Sequence, residues 1–406
     1  MMNDARPLTI LCLASYEKGQ EFLRECKRQG CRVLLLTSLS LKDKADWPRE
    51  SIDEIFYMPD VDKQWNMDDT VKSVSFVART EQIDRIVPLD DFDLEKAATL
   101  REHLRVPGLG ETTTRHFRDK LAMRMQAQAA GIRVPEFVHV LNYERLRAYM
   151  ARVPAPWLLK PRMEASASGI KKINNADELW PALEALGDKQ SFHLLERYVP
   201  GDIFHVDSIV YDGEILFAIC NRYGAPPLDV AHGGGIFTTR TMPRGTDDER
   251  ALQEMNRAVL RAMKLSRGVS HTEFIKGRAD GQFYFLETAA RVGGANIVEL
   301  IEAATGINLW AEWAKIEIAG GRGSYHVPLA RADHAGLLVS LAREQWPDTS
   351  AYNDREIVWR MKRAAHVGLI IRSHDPRRIE QLLNEYTARL QRDFSAVLPP
   401  AARPAS

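Results

Sequence analysis

The chain opens on an apolar run, "LTILCLAS", followed by "YEKGQEFLRECKRQG", which reads as a helix closed by Gly30, and then by a second apolar run, "CRVLLLT". This strand, helix, strand order implies a parallel sheet, because parallel neighbours need a crossover connection. The turn leaving the first strand, "ASYEKG", lacks the G-x-G-x-x-G spacing that lets backbone approach a pyrophosphate. The opening sheet is therefore read as structural or substrate-facing, not as a nicotinamide site.

At 406 residues the chain exceeds the size at which one core keeps growing, so two or three domains are expected. Lys plus Arg and Asp plus Glu number 55 each, which gives no bulk attraction to nucleic acid or to an anionic membrane. Cys12, Cys26, Cys31 and Cys220 form no C-x-x-C pair, which points away from a disulfide framework or zinc site and toward a reducing compartment. The start, "MMNDARP", shows no signal peptide, and no apolar stretch approaches the ~20 residues that cross a bilayer. A cytoplasmic protein is expected.

Further along, "RIVPLDDFDLEKAATLREHL" reads as a strand and a helix, with Asp90, Asp91 and Asp93 as helix-capping carboxylates and no calcium-loop spacing after them. In "TTTRHFRDKLAMRMQAQAAGIRVPEF", Phe117, Leu121 and Met125 recur at helical spacing before a stop at Gly131. Strands are expected at "FHLLERYV" and "FHVDSIVYDGEILFAI", the latter folded about Asp212-Gly213. A helix over 247–264 places Leu252, Met255, Val259 and Met263 on one core-facing side. From Arg331 a strand, a loop, a strand and a last helix (376–394) suggest a small α+β cap, and "VLPPAARPAS" has the composition of a disordered tail.

Two stretches carry chemistry. In "LLKPRMEASASGIKKI", a strand ends in Lys160, a loop of small residues follows, and a second strand starts after Gly169. Small residues let backbone come close to a ligand, and the lysine suggests an anionic one, but the order is not that of the common phosphate loop. In "VSHTEFIKGRADGQFYFLETAAR", two strands flank Asp280-Gly281. Centring the loop on Asp280 sets Lys276 opposite Tyr284 and Glu273 opposite Glu287, at about 4.5–5.5 Å between Cβ atoms. A shift of half a residue would place the glutamates on opposite faces. Their repulsion calls for a bridging divalent cation such as Mg2+, a shared proton or a nearby arginine, unless both are solvated edge charges. Arg291 follows Glu287 by four residues and has the fork to hold a carboxylate or phosphate.

Lys160 ahead of its small-residue hairpin, "LLERYVPGDIFHVD", and the run from Glu273 through "ETAARVGG" together resemble the ATP-grasp superfamily. The resemblance covers most of the chain. It implies an α/β and α+β architecture: a Rossmann-like domain (1–117), a nucleotide clamp (118–322), an α+β cap (323–396) and a tail (397–406). It implies ATP and Mg2+ as cofactors. The hairpin resembles the flap over the triphosphate, with Ser166, Ser168 and Gly169 at the phosphates and Lys120 and Lys160 neutralising them. "LLERYV" resembles the adenine hinge, where backbone groups of Glu196 and Val199 read adenine and Arg197 is also at the nucleotide, with Glu196 or the strand residues His205 and Asp207 (His205 equally a packed strand residue) facing ribose or phosphate. Glu273 and Glu287 match the metal-binding carboxylates, and Arg291 the anchor of an acyl phosphate. The usual E-x-N-x-R becomes Glu287-Thr288-Ala289-Ala290-Arg291, so one metal loses an oxygen ligand unless Asn296 or water supplies it.

The implied chemistry is activation of a small-molecule carboxylate as an acyl phosphate and its coupling to an amine, with release of ADP and phosphate, as in stand-alone L-amino-acid ligases. The chain is also similar to the biotin-carboxylase and carbamoyl-phosphate-synthase branch, which would use bicarbonate. Ala289 raises a third reading, an ATP-binding module impaired in catalysis. No nucleic-acid or membrane partner is expected, and a homodimer is left open.

Overall fold

The apolar opening builds a parallel sheet. Strands β1 (Thr9–Ala14), β2 (Arg32–Ser38), β3 (Glu54–Met58) and, beyond a hairpin of β4 (Asp60–Val61) and β5 (Gln64–Trp65), β6 (Arg85–Pro88) lie in the order β3-β2-β1-β6. The computed structural model describes residues 6–165, 168–228, 230, 235–322 and 324–396. Every residue of β1 is buried, which is why its sequence reads as an unbroken apolar run and not as an alternation. The turn after it needs Gly19: φ is 85°, and a Cβ there would lie 2.6 Å from Leu89 Cδ1. Helix Gln20–Arg28 then buries Phe22, Leu23 and Cys26 against helix Leu309–Arg322, docking this sheet onto the rest of the chain. The four cysteines are buried thiols.

The expected helix through Phe117 is broken in two. A short helix, Glu111–Arg115, ends before Phe117, and Asp119 caps a second, Lys120–Ala129, by accepting from Leu121 N and Ala122 N. The phase therefore changes: Met125 is exposed, whereas Leu121, Met123, Arg124 and Ala127 face inward. Lys120 becomes the first residue of its helix, with Arg124 one turn later on the same side.

The quoted hairpin forms as read. Strands β7 (Phe137–His139), β8 (Trp157–Pro161), β9 (Lys171–Ile173) and β10 (His193–Arg197) make an antiparallel sheet in the order β7-β10-β8-β9, with Trp157 opposite Ile173. A larger antiparallel sheet follows, from β11 (Gly201–Tyr211), β12 (Glu214–Tyr223), β13 (Phe237–Thr241), β14 (Gly268–Gly277), β15 (Phe283–Ala289), β16 (His334–Leu341), β17 (Ile357–Arg360) and β18 (His366–Ser373). Its order is β15-β14-β11-β12-β13-β16-β18-β17. The strands expected in a separate cap thus extend the sheet that starts in the clamp, because β16 pairs with β13. Helix Asp247–Met263 covers one face with Leu252, Val259, Leu260 and Met263, and helix Pro376–Asp393 covers the far end. The tail at 397–406 lies outside the described residues.

Candidate active site

Between the smaller antiparallel sheet and strands β11, β14 and β15 lies a cleft of about 450 Å³. Lys120, Lys160, Ser168, Glu196, Arg197, Val199, Glu273, Glu287 and Arg291 all line it. Ser166 falls outside the described residues. Gly169 shapes the loop without lining the cleft: its φ is 71°, and a Cβ would meet Pro161 Cγ at 2.9 Å.

Two lysines arrive from different elements. Lys160, at the end of β8, donates to Glu196 Oε1 at 2.5 Å, and fully buried Arg124 donates to Glu196 Oε2 at 2.6 Å. Burial alone would raise the Glu196 carboxyl, but these two cations outweigh it and hold it below its ordinary range. The side chain of Glu196 is therefore a buried anchor for Lys160, and cannot itself reach toward ribose or phosphate. Lys120 donates to Glu164 O at 2.5 Å and stands 3.0 Å from Glu287 Oε2. Arg197 pairs with Glu136 at 2.6 Å and donates to Tyr284 Oη at 3.2 Å.

The carboxylate hairpin reaches its pairing by a route that differs from the expected one. Near the turn Lys276 faces Phe283, not Tyr284, so the loop is centred half a residue early. A bulge between Glu273 and Phe274 then absorbs one extra residue on β15, and Glu273 faces Glu287 after all. Without that bulge Glu287 would point to the opposite face. Bulges at a site edge re-aim side chains in this way.

Beneath the carboxylates lies a polar grid. Across β11 and β14, His205 is registered with Glu273 and Asp207 with His271. Asp207 accepts from His205 Nδ1 at 2.7 Å and His271 Nδ1 at 2.8 Å, and Asn221 Nδ2 donates to it at 3.1 Å. His271 Nε2 lies 3.5 Å from Glu273 Oε1, which also accepts from Tyr223 Oη at 2.8 Å. Burial opposes charge on both histidines. It keeps His205 below its ordinary value, whereas Asp207 and Glu273 together lift His271 to about 9. Asp207, in turn, is held well below the carboxylate range against its own burial by the two imidazoles. His205 and Asp207 are wholly buried and do not line the cleft, so neither can contact a nucleotide as the resemblance implied. They support the floor.

Arg291 reaches across to the N-terminal sheet. Its Nε donates to Asp91 Oδ2 at 2.8 Å, its Nη2 donates to the same oxygen, and its Nη1 donates to Val292 O at 2.7 Å. Buried Asp91 is drawn down to about 2, burial opposing and Arg291 and Arg118 prevailing. This corrects the reading of the three aspartates as caps. Only Asp90 accepts from the backbone of its helical turn, at Phe92 N, while Asp93 binds Ser15 N and Lys96. Asn296 hydrogen-bonds to Glu299 and lies off the cleft lining.

Two residues missed by sequence reasoning left a signal. His271 precedes Glu273 by two, hence shares its face of β14, and Arg124 follows Lys120 by one helical turn. Tyr223 and Asp91 left none, being brought in from distant segments.

The donor set suits magnesium. Two carboxylates in register offer hard oxygens, and Glu287 faces the cleft with its side chain 34% exposed. Ala289, registered with His271, offers no ligand atom. The cleft volume is that of a small-molecule site, with apolar Leu158, Val199, Ile203 and Leu286 at hand for a base and lysines for phosphates.

No family model matches the chain. A curated relative, the L-arginine-specific L-amino acid ligase of Bacillus subtilis, is 25% identical over 250 residues, which cover 60% of this chain. The match spans 59% of that relative's length. Among solved structures, L-amino acid ligase from Bacillus licheniformis superposes with a TM-score of 0.76 at 17% identity, covering 97% of this chain and 99% of that one. N5-carboxyaminoimidazole synthetase from Staphylococcus aureus, complexed with ADP, gives 0.70 at 16%, covering 94% and 96%. The chain has the ATP-grasp fold. The structures that share it include enzymes other than L-amino acid ligases, such as biotin carboxylase from Campylobacter jejuni at a TM-score of 0.69 and 15% identity, covering 96% of this chain and 92% of that one.

Proposed function

We propose that the protein is an ATP- and Mg2+-dependent ligase that activates a small-molecule carboxylate and couples it to an amine, releasing ADP and phosphate. One observation carries this reading: Glu273 and Glu287, in register across β14 and β15, share a single cleft with Lys120, Lys160 and Arg291. Glu273 and Glu287 would hold magnesium, which would supply positive charge to the phosphate oxygens.

The chain's own groups do the rest. Lys160, held by Glu196, presents a fixed cation to phosphate, and Lys120 presents a second from the start of its helix, where the dipole adds to it. A carboxylate oxygen of the substrate attacks the γ-phosphorus, the bond to the ADP oxygen breaks, and an acyl phosphate results. The guanidinium of Arg291 stabilises that anion. The amine nitrogen then attacks the acyl carbon, the C–O bond to phosphate breaks, and the nitrogen gives up a proton. Buried thiols and the lack, among the described residues, of a helix long and apolar enough to cross a membrane support a cytoplasmic setting.

The test is a screen of carboxylates and amines, singly and paired, with nucleotide products resolved by chromatography. ADP and orthophosphate are expected, and AMP with pyrophosphate would sink the mechanism. Ala289 favours one competing reading, a nucleotide-binding module without catalysis. Magnesium-dependent ADP release in the paired pools separates the two.

A further inference from the structure

Where the N-terminal sheet meets the rest of the chain lies a separate hollow of about 110 Å³. Arg85 from β6, Arg101 from helix Leu94–Leu104 and Arg267, one residue before β14, line it together. Glu317 is the only acidic side chain on its wall among the described residues, so the wall carries three positive charges and one negative. Arg85 and Arg101 are 9% and 7% exposed. Buried cations in excess of their counter-charges cost free energy, and a bound anion removes that cost.

The three guanidiniums are tied only to carbonyls. Arg101 donates to Ile86 O and Leu109 O, Arg85 to Glu317 O at 3.0 Å and Asp84 O at 2.7 Å, and Arg267 to Gly320 O at 2.7 Å. Two of these carbonyls belong to the last turns of helix Leu309–Arg322, so the arginines also serve that helix end. A carbonyl carries a partial charge and no net one, and none of the three arginines stands in an ion pair among the described residues. Arg85 Nη2 and Arg267 Nε and Nη2 make no hydrogen bond among the described residues, and none of these atoms is sealed from solvent. Burial holds the Arg101 guanidinium below its ordinary value, with Glu317 opposing the shift and Arg85 adding to it. Pro107, Gly108 and Ser266 on the wall are exposed, which leaves the hollow a way in.

We infer that this hollow binds a small oxyanion, inorganic phosphate or sulfate, on the free donors of Arg85 and Arg267 and beside the charge of Arg101. Guanidinium forks present paired donors to such an ion. At 110 Å³ the space is below the ~300–1,000 Å³ of small-molecule sites, which limits the occupant to an ion and excludes a nucleotide. The bound anion joins β6 to the start of β14 and so fastens the N-terminal sheet to the sheet under the cleft. This assignment does not rest on the ligase reading.

Calorimetric titration of the full chain with sodium phosphate and with sodium sulfate, at constant ionic strength in sodium chloride, tests it. One saturable site is expected for at least one of the two anions. Arg267→Met, at a half-buried position outside every ion pair of the described residues, should weaken that binding by ~10–100-fold, the scale of hydrogen bonds to a charged group. Arg85→Met should weaken it by a similar factor, and Arg291→Ala, in the cleft, should leave it unchanged. If Arg267→Met does not fold, Arg267→Lys, which keeps the charge but loses the fork, should still weaken binding. Both anions stabilise any fold by exclusion from its surface, so the gain in melting temperature that counts is the part lost in the Arg267 variant. Absence of saturable binding of either anion by the wild type, or binding unchanged in the Arg267 and Arg85 variants, would overturn the assignment. Loss in Arg291→Ala with retention in the Arg267 variant would overturn it as well, by placing the anion in the cleft.

Discussion

The parallel sheet at the N-terminus and the β11–β14 pair under the cleft are equally buried and opposite in character. In β1, Ile10, Leu11, Cys12 and Leu13 are all at most 1% exposed and point to both faces of the sheet. In β11, His205 and Asp207 are just as inaccessible, yet they carry ionisable groups registered against Glu273 and His271. The first arrangement gains from apolar area removed from water and tolerates exchange of one hydrophobe for another of similar volume. The second gains little, since desolvation opposes each charge, but every hydrogen bond in it has a direction. Burial alone holds a sheet in place, whereas directed hydrogen bonds hold a carboxylate in aim.

The largest effect that sharpens this contrast is at the top of the grid. Glu287→Gln and Glu273→Gln keep shape and remove the charge proposed to hold magnesium. Each should lower turnover by ~10³-fold, at the upper end for one preorganised electrostatic group, with circular dichroism unchanged; melting should hold in Glu287→Gln and fall in Glu273→Gln, which takes a carboxylate from beside His271. Near-normal rates at saturating magnesium would make the pair structural.

Next comes Asp207→Asn. It leaves imidazolium His271 buried beside an uncharged amide, which should cost about 3 kcal/mol or more in chemical denaturation. Leu35→Ala in β2 should lose about as much, at about 2–5 kcal/mol. The distinction lies in the folded fraction: Leu35→Ala should turn over normally per folded molecule, and Asp207→Asn should not, because Glu273 loses its support. Equal activity in both would erase the proposed difference between the regions.

Arg291→Lys and Arg291→Ala should each lose coupled ligation by at least ~100-fold, since lysine keeps the charge but not the fork. ATP affinity by calorimetry should persist, because Lys120, Lys160 and the hinge are untouched. Loss of binding along with activity would assign Arg291 to the nucleotide instead.

The smallest effect is in acid. Glu196 is held below its ordinary value in the folded chain, so its contribution is present above the unfolded carboxylate range, near ~4.3, and is lost as pH falls below it. Denaturant melts of the wild type at falling pH should lose stability there, and Glu196→Gln should flatten that limb while lowering stability at neutral pH. Leu35→Ala should keep the wild-type slope. An unchanged slope in Glu196→Gln would show that Arg124 and Lys160 do not depend on that carboxylate.

What the sequence determined by itself is what local periodicity and turn chemistry carry. Unbroken apolar runs specify the parallel sheet, Asp212-Gly213 sets a hairpin with both residues at positive φ, and the small-residue loop after Lys160 forms its hairpin. The resemblance built on those motifs brought Lys120, Lys160, Glu273, Glu287 and Arg291 to one cleft. Other features were decided only in three dimensions. The bulge beside Glu273 depends on ladder pairing that no turn residue announces, and it alone turns Glu287 to the face that Glu273 occupies. Asp119 took the cap and broke a periodic stretch, because a side-chain acceptor at a helix start outweighs continued apolar spacing. Asp91 meets Arg291 across 200 positions, and Tyr223 meets Glu273 across 50. Sequence spacing is blind to such pairs, since their partners are neighbours only after the sheets have packed.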